Sequence, residues 1–210
     1  MTLGKRLFDI LAAVSLLLLL APLIATVALA IRLRDGAPVL YVSERMRGPD
    51  EGFRFYKFRT MRPDTGDSGV SGGDKSGRIT PLGAFLRRSR LDELPQLWNL
   101  LRGDISAVGP RPPLRQYVER FPDLYTRVLR SRPGITGLAS LHFHAHEQRL
   151  LARSRSREET DAIYCRACIP RKARLDLIYQ RRRNLCLDIA IITQTVVPPL
   201  RRKARRARQR

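Results

Sequence analysis

The sequence predicts an α/β protein, mostly helical with one short β-hairpin. A re-entrant membrane helix at the N-terminus precedes a small membrane-associated cytoplasmic domain. Three observations point there. The stretch from Ile10 to Ile31 is 22 residues long and carries no charge. Two strand-like runs, Val39-Leu40-Tyr41-Val42 and Phe53-Arg54-Phe55-Tyr56-Lys57-Phe58, flank the turn residues 47–52. From Thr80 onward, apolar positions recur at helical spacing, punctuated by caps, Gly and Pro. The divisions that follow are 1–35 for the membrane helix, 36–200 for the domain and 201–210 for a basic tail.

As a helix, the uncharged stretch would reach about 33 Å at ~1.5 Å per residue, close to the ~30 Å hydrocarbon thickness of a bilayer. Ala21-Pro22 lies near its middle, and Pro22 should kink it. Lys5 and Arg6 precede the stretch, and Arg32 and Arg34 follow it. Positive charge at both ends argues that both face the cytoplasm, which a kinked, re-entrant helix satisfies and a simple span does not. A signal peptide is the other rival, but the apolar run exceeds the usual ~7–15 residues.

Alternation in the second strand places Lys57 and Arg54 on opposite faces. Residues 64–77 contain five Gly, three Ser and three Asp and read as a mobile loop or lid. Thr80-Pro81 opens a helix whose Leu82, Phe85 and Leu86 share a face. The next helix begins near Asp92 to Pro95, buries Leu94, Leu97, Trp98 and Leu101, and stops at Gly103. Gly109-Pro110-Arg111-Pro112-Pro113 is a rigid loop presenting Arg111. A helical stretch then runs to Arg130, and residues 132–137 make another turn. From about 147 to 197 the pattern is helical and basic.

Forty Lys and Arg against nineteen Asp and Glu give a formal net charge of +21, which calls for an anionic partner: nucleic acid, an acidic membrane face or a phosphorylated small molecule. The basic residues interleave with apolar helix faces rather than with aromatics at stacking spacing, so nucleic acid is not expected. The tail holds seven Lys or Arg in ten residues and reads as a disordered arm for anionic lipid headgroups. Three cysteines, Cys165, Cys168 and Cys186, fit a reducing compartment better than a disulfide framework.

The stretch 91–98 is the most informative. Asp92 and Glu93 stand side by side, with Arg87, Arg88 and Arg90 upstream and Arg102 and Arg111 downstream. A carboxylate in such surroundings stays ionised at neutral pH and can act as a nucleophile, while the arginines neutralise charge on a transferred phosphoryl group. An ordinary helix cap with ion pairs is the plain alternative.

Several stretches, in order, resemble the bacterial monotopic phosphoglycosyl transferases, the sugar transferases that begin polysaccharide and glycoconjugate assembly. They are Lys5-Arg6-Leu7-Phe8-Asp9, Tyr56-Lys57-Phe58-Arg59-Thr60-Met61, Leu91-Asp92-Glu93-Leu94-Pro95-Gln96, Val108-Gly109-Pro110-Arg111-Pro112 and Arg132-Pro133-Gly134-Ile135-Thr136-Gly137. Leu175-Asp176 with Tyr179, and Leu187-Asp188, also fit. The resemblance implies transfer of a sugar 1-phosphate from a UDP-sugar to polyprenyl (undecaprenyl) phosphate. The route would be a phosphosugar-aspartyl intermediate on Asp92, with UMP released, at the cytoplasmic face of a bacterial inner membrane. It further implies Mg²⁺ held at Asp92 and Glu93, and phosphate or substrate contacts from Lys57, Arg59, Arg87, Arg111 and Asp176. Anionic membrane lipids are implied partners, and a homodimer is an open option. Ala21 stands where the family often has Ser before the kink proline, and Leu138-Ala139-Ser140 stands where a Trp is common. The region plausible for sugar contacts therefore carries no specificity over.

Two rivals differ in class. A non-enzymatic, membrane-tethered basic protein would bind nucleic acid or anionic lipid. A hydrolase of nucleotide sugars would release UMP without a lipid acceptor. Separately, His142, His144 and His146 with Cys165-x-x-Cys168 could supply zinc ligands, although one Cys pair alone is a weak signature and the segment equally reads as a strand or loop with incidental His.

Overall fold

Thr2 caps the first helix, its hydroxyl accepting from the Lys5 amide, and α1 (Leu3–Arg34) then runs unbroken through Pro22. The computed structural model describes residues 2–64 and 69–197. The tail 201–210 and part of the expected 64–77 loop lie outside these residues. At ~1.5 Å per residue, the 32 residues of α1 make a rod of about 48 Å. Pro22 cannot donate to the preceding turn. The carbonyl of Pro22 accepts the Thr26 hydroxyl at 2.8 Å, one turn on.

Helix α1 does not stand away from the rest of the chain. Asp9, Ala13, Val27 and Ile31 are buried, and Leu17, Leu20, Ile24 and Ala28 are packed against the same cores. These positions recur every three or four residues, which is one stripe of a helix. The other face is apolar and uncovered: Leu3, Leu7, Leu11, Leu18, Leu19, Leu29 and Leu33 are all exposed. By length and composition α1 could cross a membrane. One stripe of α1 therefore packs on the domain while its opposite face stays uncovered.

Strands β1 (Leu40–Met46) and β2 (Gly52–Phe58) pair antiparallel, in a register running from Leu40 opposite Phe58 to Met46 opposite Gly52. Phe53 and Phe55 point inward on Leu97, Leu100 and Ile105, beneath Ala13 of α1. Arg54, on the opposite face from Lys57, is exposed. Helix α2 (Pro81–Ser89) is capped by the Thr80 hydroxyl on Gly83 N at 2.9 Å. Leu86 is buried and Leu82 packs beside it, but Phe85 is exposed, so the expected three-residue face is two residues wide.

Asp92 and Glu93 do not begin a helix. They lie in a separate 3₁₀ turn, Leu91–Glu93, and α3 (Gln96–Arg102) starts after Pro95. Gly103 ends α3 in the left-handed region at φ 82°, where a Cβ would be strained. Within α3 the buried apolar residues are Leu97 and Leu100, whereas Trp98 is half exposed.

Residues 132–137 are not a turn. Strand β4 (Gly134–Thr136) pairs parallel with β3 (Ser106–Val108). A Cβ on Gly134 would collide with the Gly109 amide, and one on Gly137 with the Gly109 carbonyl. Glycine at these points is a condition of the two backbones meeting. The single helix expected up to Arg130 is two, α4 (Arg115–Arg120) and α5 (Pro122–Val128), broken at Phe121-Pro122. Helices α6 (Leu138–Leu151), α7 (Arg157–Ile163), α8 (Ile169–Arg182) and α9 (Leu185–Val196) follow among the described residues, with a π turn at Tyr164–Cys168. The largest core joins α4, α5, α6 and α8 through Tyr117, Val118, Tyr125, Val128, Phe143, Leu151 and Ile169.

The burial pattern of α3 sets a stability test. Leu100→Ala should destabilise the fold by about 2–5 kcal/mol, the usual cost of a buried Leu cavity. Trp98→Ala should cost less than about 1 kcal/mol. Denaturant unfolding in detergent checks both, and the reverse ranking would contradict this packing.

Candidate active site

The 3₁₀ turn 91–93 is set by the residue before it. Arg90 takes φ 62° and ψ 13°, the left-handed region, although it is not Gly. Such a conformation costs on the order of 1–3 kcal/mol and persists only where surroundings enforce it. Here Arg90 N bonds Arg87 O at 3.4 Å, and Glu93 N bonds Arg90 O at 3.2 Å. The sharp reversal turns Asp92 and Glu93 inward: Asp92 is 6% exposed.

The two carboxylates have opposite surroundings. Glu93 Oε1 accepts from Arg111 Nη2 at 2.7 Å and from Lys57 Nζ at 3.4 Å, and its Oε2 lies 3.5 Å from Arg90 Nη1. Burial works against the Glu93 charge, but Arg111, Lys57 and Arg90 outweigh it and hold its carboxyl well below the usual range. Asp92 Oδ1 is buried with no hydrogen-bond partner among the described residues. Burial pushes the Asp92 carboxyl up; Lys57 opposes that, and the Glu93 charge adds to it. The sequence placed the cations around the pair as a whole. The structure divides them, with Glu93 as the ion-pair partner and Asp92 as the buried, unsatisfied neighbour.

Burial and the adjacent Arg111 lower Lys57 to about 8, and Phe55 contributes to its setting. The Lys57 ammonium and the Arg45 guanidinium each lie 5.7 Å from the Phe55 ring centre. Arg45 is itself lowered to about 10, by burial first and then by Arg111, and its Nη1 donates to Pro112 O at 3.3 Å. Arg111 is delivered by the loop after β3, which is held where Gly134 N donates to Pro110 O at 2.8 Å.

All seven sequence-named side chains, Lys57, Arg59, Arg87, Asp92, Glu93, Arg111 and Asp176, line one cleft of about 980 Å³. They do not all act alike. Arg59 Nη2 donates to the carbonyls of Asp35 and Gly36, each at 2.7 Å, and so clamps the end of α1 rather than reaching toward the dyad. Arg87 bonds Thr60 Oγ1 at 3.0 Å and Ser71 Oγ at 3.4 Å, while its charge reaches Asp92. Asp176 lies at another part of the cleft: burial raises its carboxyl to about 7, and Lys172 and Glu147 are the charges it feels. Its Oδ1 is buried without a partner among the described residues.

A model of the bacterial sugar transferase family matches residues 1–202. The chain belongs to the bacterial sugar transferase family. It is 38% identical over 202 residues to the undecaprenyl-phosphate glucose phosphotransferase of Komagataeibacter xylinus, covering 92% of this chain and 35% of that protein. It is 34% identical to the UDP-N-acetylgalactosamine-undecaprenyl-phosphate N-acetylgalactosaminephosphotransferase of Aeromonas hydrophila, covering 91% and 42%. It is 38% identical to the exopolysaccharide production protein PSS of Rhizobium leguminosarum bv. phaseoli, covering 94% and 96%. The chain thus spans about two-fifths or less of the first two relatives and nearly the whole of the third.

Sequence reasoning missed several cleft residues of this family member. Lys172 bonds Glu147 at 2.7 Å and the Tyr164 hydroxyl at 3.2 Å. The available signal was its spacing, four residues before Asp176 on α8. Arg45 follows from the hairpin register, which sets Tyr41 and Arg45 on the face of Lys57 and Phe55. The three alternating histidines are on helix α6, not a strand or loop. His144 lines the cleft, lowered to about 4 by burial and by Arg90 and Arg111, whereas His146 lies 3.5 Å from Arg171. Cys165 and Cys168 face the large core. No group of three His, Cys, Asp or Glu that could hold a metal occurs among the described residues.

The expected 64–77 lid is partly a docked element. Gly73–Arg78 forms a 3₁₀ helix with Lys75 buried. It is latched by Gly73 N on Ser154 Oγ at 3.2 Å and by Thr160 Oγ1 on Asp74 Oδ1 at 2.8 Å.

The Glu93 cluster sets a stability test. A carboxyl depressed in the folded state contributes stability that is present above its unfolded pKa and is lost as pH falls through the folded one. The unfolding free-energy difference between wild type and Glu93→Gln should be about 3–5 kcal/mol and flat at neutral pH, because the substitution leaves buried cations unpaired. It should shrink steadily below about pH 4.5. A difference independent of pH down to 2 would show that Glu93 is not the charge these cations compensate.

Proposed function

We propose that this chain transfers a sugar 1-phosphate from a UDP-sugar to a polyprenyl phosphate, with Asp92 as the nucleophile. The observation that carries the reading is the buried, unpartnered Asp92 oxygen beside a Glu93 already neutralised by three cations. Relatives named as undecaprenyl-phosphate glucose and N-acetylgalactosamine phosphotransferases supply the substrate classes.

An Asp92 oxygen forms a bond to the sugar-bearing phosphorus, and the phosphorus–oxygen bond to the other phosphate breaks. UMP leaves with that electron pair, and the sugar phosphate stays on Asp92 as an acyl phosphate. An oxygen of polyprenyl phosphate then attacks the same phosphorus, forming the lipid diphosphate sugar and returning the Asp92 carboxylate. Atoms and charge balance without an external oxidant or base. Lys57, Arg111, Arg90, Arg87 and Arg45 gather around the cleft, where charge on the transferred phosphoryl oxygens must be neutralised. The two-step route suits one soluble and one membrane-held substrate, which then need not share the site.

Mg²⁺ fits this donor set through Asp92 and the donor's own phosphates, since this hard cation takes one or two carboxylates plus phosphate oxygens. When bound it would polarise the phosphoryl oxygens. Glu93 is a poorer ligand, because both its oxygens already face cations.

The same reading places the protein on the cytoplasmic face of a bacterial inner membrane, with both ends of α1 on that side. Lys5 and Arg6 at one end, and Asp35 and Gly36 just past the other, bond to the same domain. The uncovered apolar face of α1 is the surface offered to lipid. The cleft cations converge on carboxylates in a recess, which favours a phosphorylated small molecule over the non-enzymatic basic binder. A hydrolase of nucleotide sugars would need no lipid acceptor.

A panel of UDP-sugars in detergent with Mg²⁺ and polyprenyl phosphate tests the reaction. UMP release should depend on lipid acceptor and fall at least roughly 10³-fold in Asp92→Asn. Labelled donor should leave its sugar phosphate on Asp92. Full activity in Asp92→Asn would end this reading, and UMP release that ignores the lipid would make the protein a hydrolase. The pH profile should have an acid limb above the ordinary aspartate range, because Asp92 must ionise against its burial. A basic limb should lie near 8, as Lys57 discharges. Lys57→Arg should move that limb upward; an unmoved limb would assign it elsewhere. For topology, cysteines at Thr2 and Arg34 should both be labelled from the cytoplasm only.

A further inference from the structure

The first two turns of α1 hold two pieces of backbone that carry the site. Arg6 donates to the carbonyls of Leu100 at 2.9 Å and Leu101 at 2.7 Å, in the last turn of α3. Asp9 Oδ1 accepts from Ala107 N at 3.1 Å. Lys5 Nζ pairs with Asp188 and donates to Val108 O at 3.3 Å and to the Tyr179 hydroxyl at 3.4 Å. The Tyr179 hydroxyl lies 2.6 Å from Asp188 Oδ1 and 3.1 Å from Val108 O.

The proton count of this cluster closes. Lys5 has three N–H donors and three acceptors: Asp188, Val108 O and the Tyr179 oxygen. Tyr179 has one proton, which goes to the nearer acceptor, Asp188. Tyr179 and Asp188 are each 2% exposed, so the network sits in low dielectric, where a missing member is costly. Its targets on β3, Ala107 N and Val108 O, are bonded by α1 side chains, while the amides of Ser106 and Gly109 bond β4 carbonyl oxygens or their neighbours. In effect α1 completes the small sheet with side chains instead of a strand.

Both backbones lead directly to the ion cluster. Arg111 follows Val108 by three residues, and α3 begins three residues after Glu93. We infer that Lys5, Asp188 and Tyr179, with Asp9, are positioning residues that set the Arg111 guanidinium on Glu93, so that the docking of α1 fixes the geometry of the site. Membrane attachment alone would require only the outward apolar face of α1. A charged network aimed inward at β3 serves the domain, and β3 is the segment that ends in the Arg111 loop.

The activity arm of the test rests on the function proposed above; the exchange arm does not. In Lys5→Met, hydrogen exchange at the Ala107, Gly109 and Arg111 amides should quicken, while amides of α4 and α5, outside the network, stay protected. UMP release should fall roughly 10–100-fold in kcat with donor KM nearly unchanged, the penalty of a displaced catalytic group. In an Arg111→Met background the same Lys5→Met change should cost less than about twofold, because the group it positions is already gone. Lys5→Arg should restore part of the loss. Tyr179→Phe keeps the Lys5–Asp188 pair and should show a smaller loss with the same non-additivity, which serves if Lys5→Met does not fold. Unchanged exchange at the three amides, or an equal fold-loss with and without Arg111, would overturn the inference. A wild-type protein that releases no UMP would instead sink the proposed function and leave the exchange result to decide this one.

Discussion

Glu93 is gripped by Arg111 at 2.7 Å, Lys57 at 3.4 Å and Arg90 at 3.5 Å, and the character of the cleft follows from that cluster. Each of these cations comes from a different part of the chain: a loop after β3, strand β2 and the left-handed residue before the dyad. Arg90 stays exposed, but Lys57 and Arg111 could not be withdrawn into the cleft wall alone, since an unpaired charge in low dielectric costs several kcal/mol, on the order of 3–5 when one partner is lost. Glu93 makes the withdrawal of those two possible, and the cations in turn leave Asp92 Oδ1 without a partner among the described residues. The dyad is therefore a division of labour: one carboxylate assembles the positive wall, and the other is left free within it.

Much of this was legible in the sequence, for identifiable reasons. Turn chemistry located the hairpin, Thr80-Pro81 located α2, and Gly103 located the end of α3, because caps and turns are local and depend on residue type alone. The gathering of Lys57, Arg87, Arg111 and the dyad followed from motif order. What failed was non-local. Residues 132–137 read as a turn because Gly and Pro are turn formers. The glycines are there because β3 and β4 approach too closely for a side chain, and only the partner strand reveals that. Trp98 was assigned to the core by helical spacing, yet α3 is only two turns long and buries Leu97 and Leu100 while leaving Trp98 about half exposed. The division of charge between Asp92 and Glu93 depends on the left-handed Arg90, which no sequence rule for non-glycine residues would place there. Arg59 looked like a phosphate ligand from its neighbours, but its guanidinium finds the carbonyls ending α1.

Helix α1 serves two solvents at once. One stripe, from Asp9 through Ala13 and Val27 to Ile31, belongs to the protein interior, and the opposite face is leucine exposed along its length. A helix apolar all round would ordinarily mark a membrane span, and by composition this one qualifies. The polar residues at its start tie it to the domain as well, because Lys5, Arg6 and Asp9 are committed to backbone groups of the domain and cannot be withdrawn without leaving those groups unsatisfied. The helix is thus a structural member of the domain whose outer surface happens to suit lipid.

On the proposed reading Asp92 is a nucleophile whose carboxyl is raised by burial, and electrostatics make that a workable choice at neutral pH. A buried carboxylate oxygen with no hydrogen-bond donor among the described residues keeps its lone pairs available, and its raised basicity would make it a stronger donor toward phosphorus. Left alone, such a group would take a proton and lose its function. Lys57, Arg87 and Arg111 each pull its carboxyl back down, and they do so without hydrogen-bonding the free Oδ1. Charge at a distance favours the Asp92 carboxylate, whereas a direct hydrogen bond would also have occupied the lone pair. Glu93, which accepts the direct bonds, is the evidence that the cations were within reach and were spent on its neighbour.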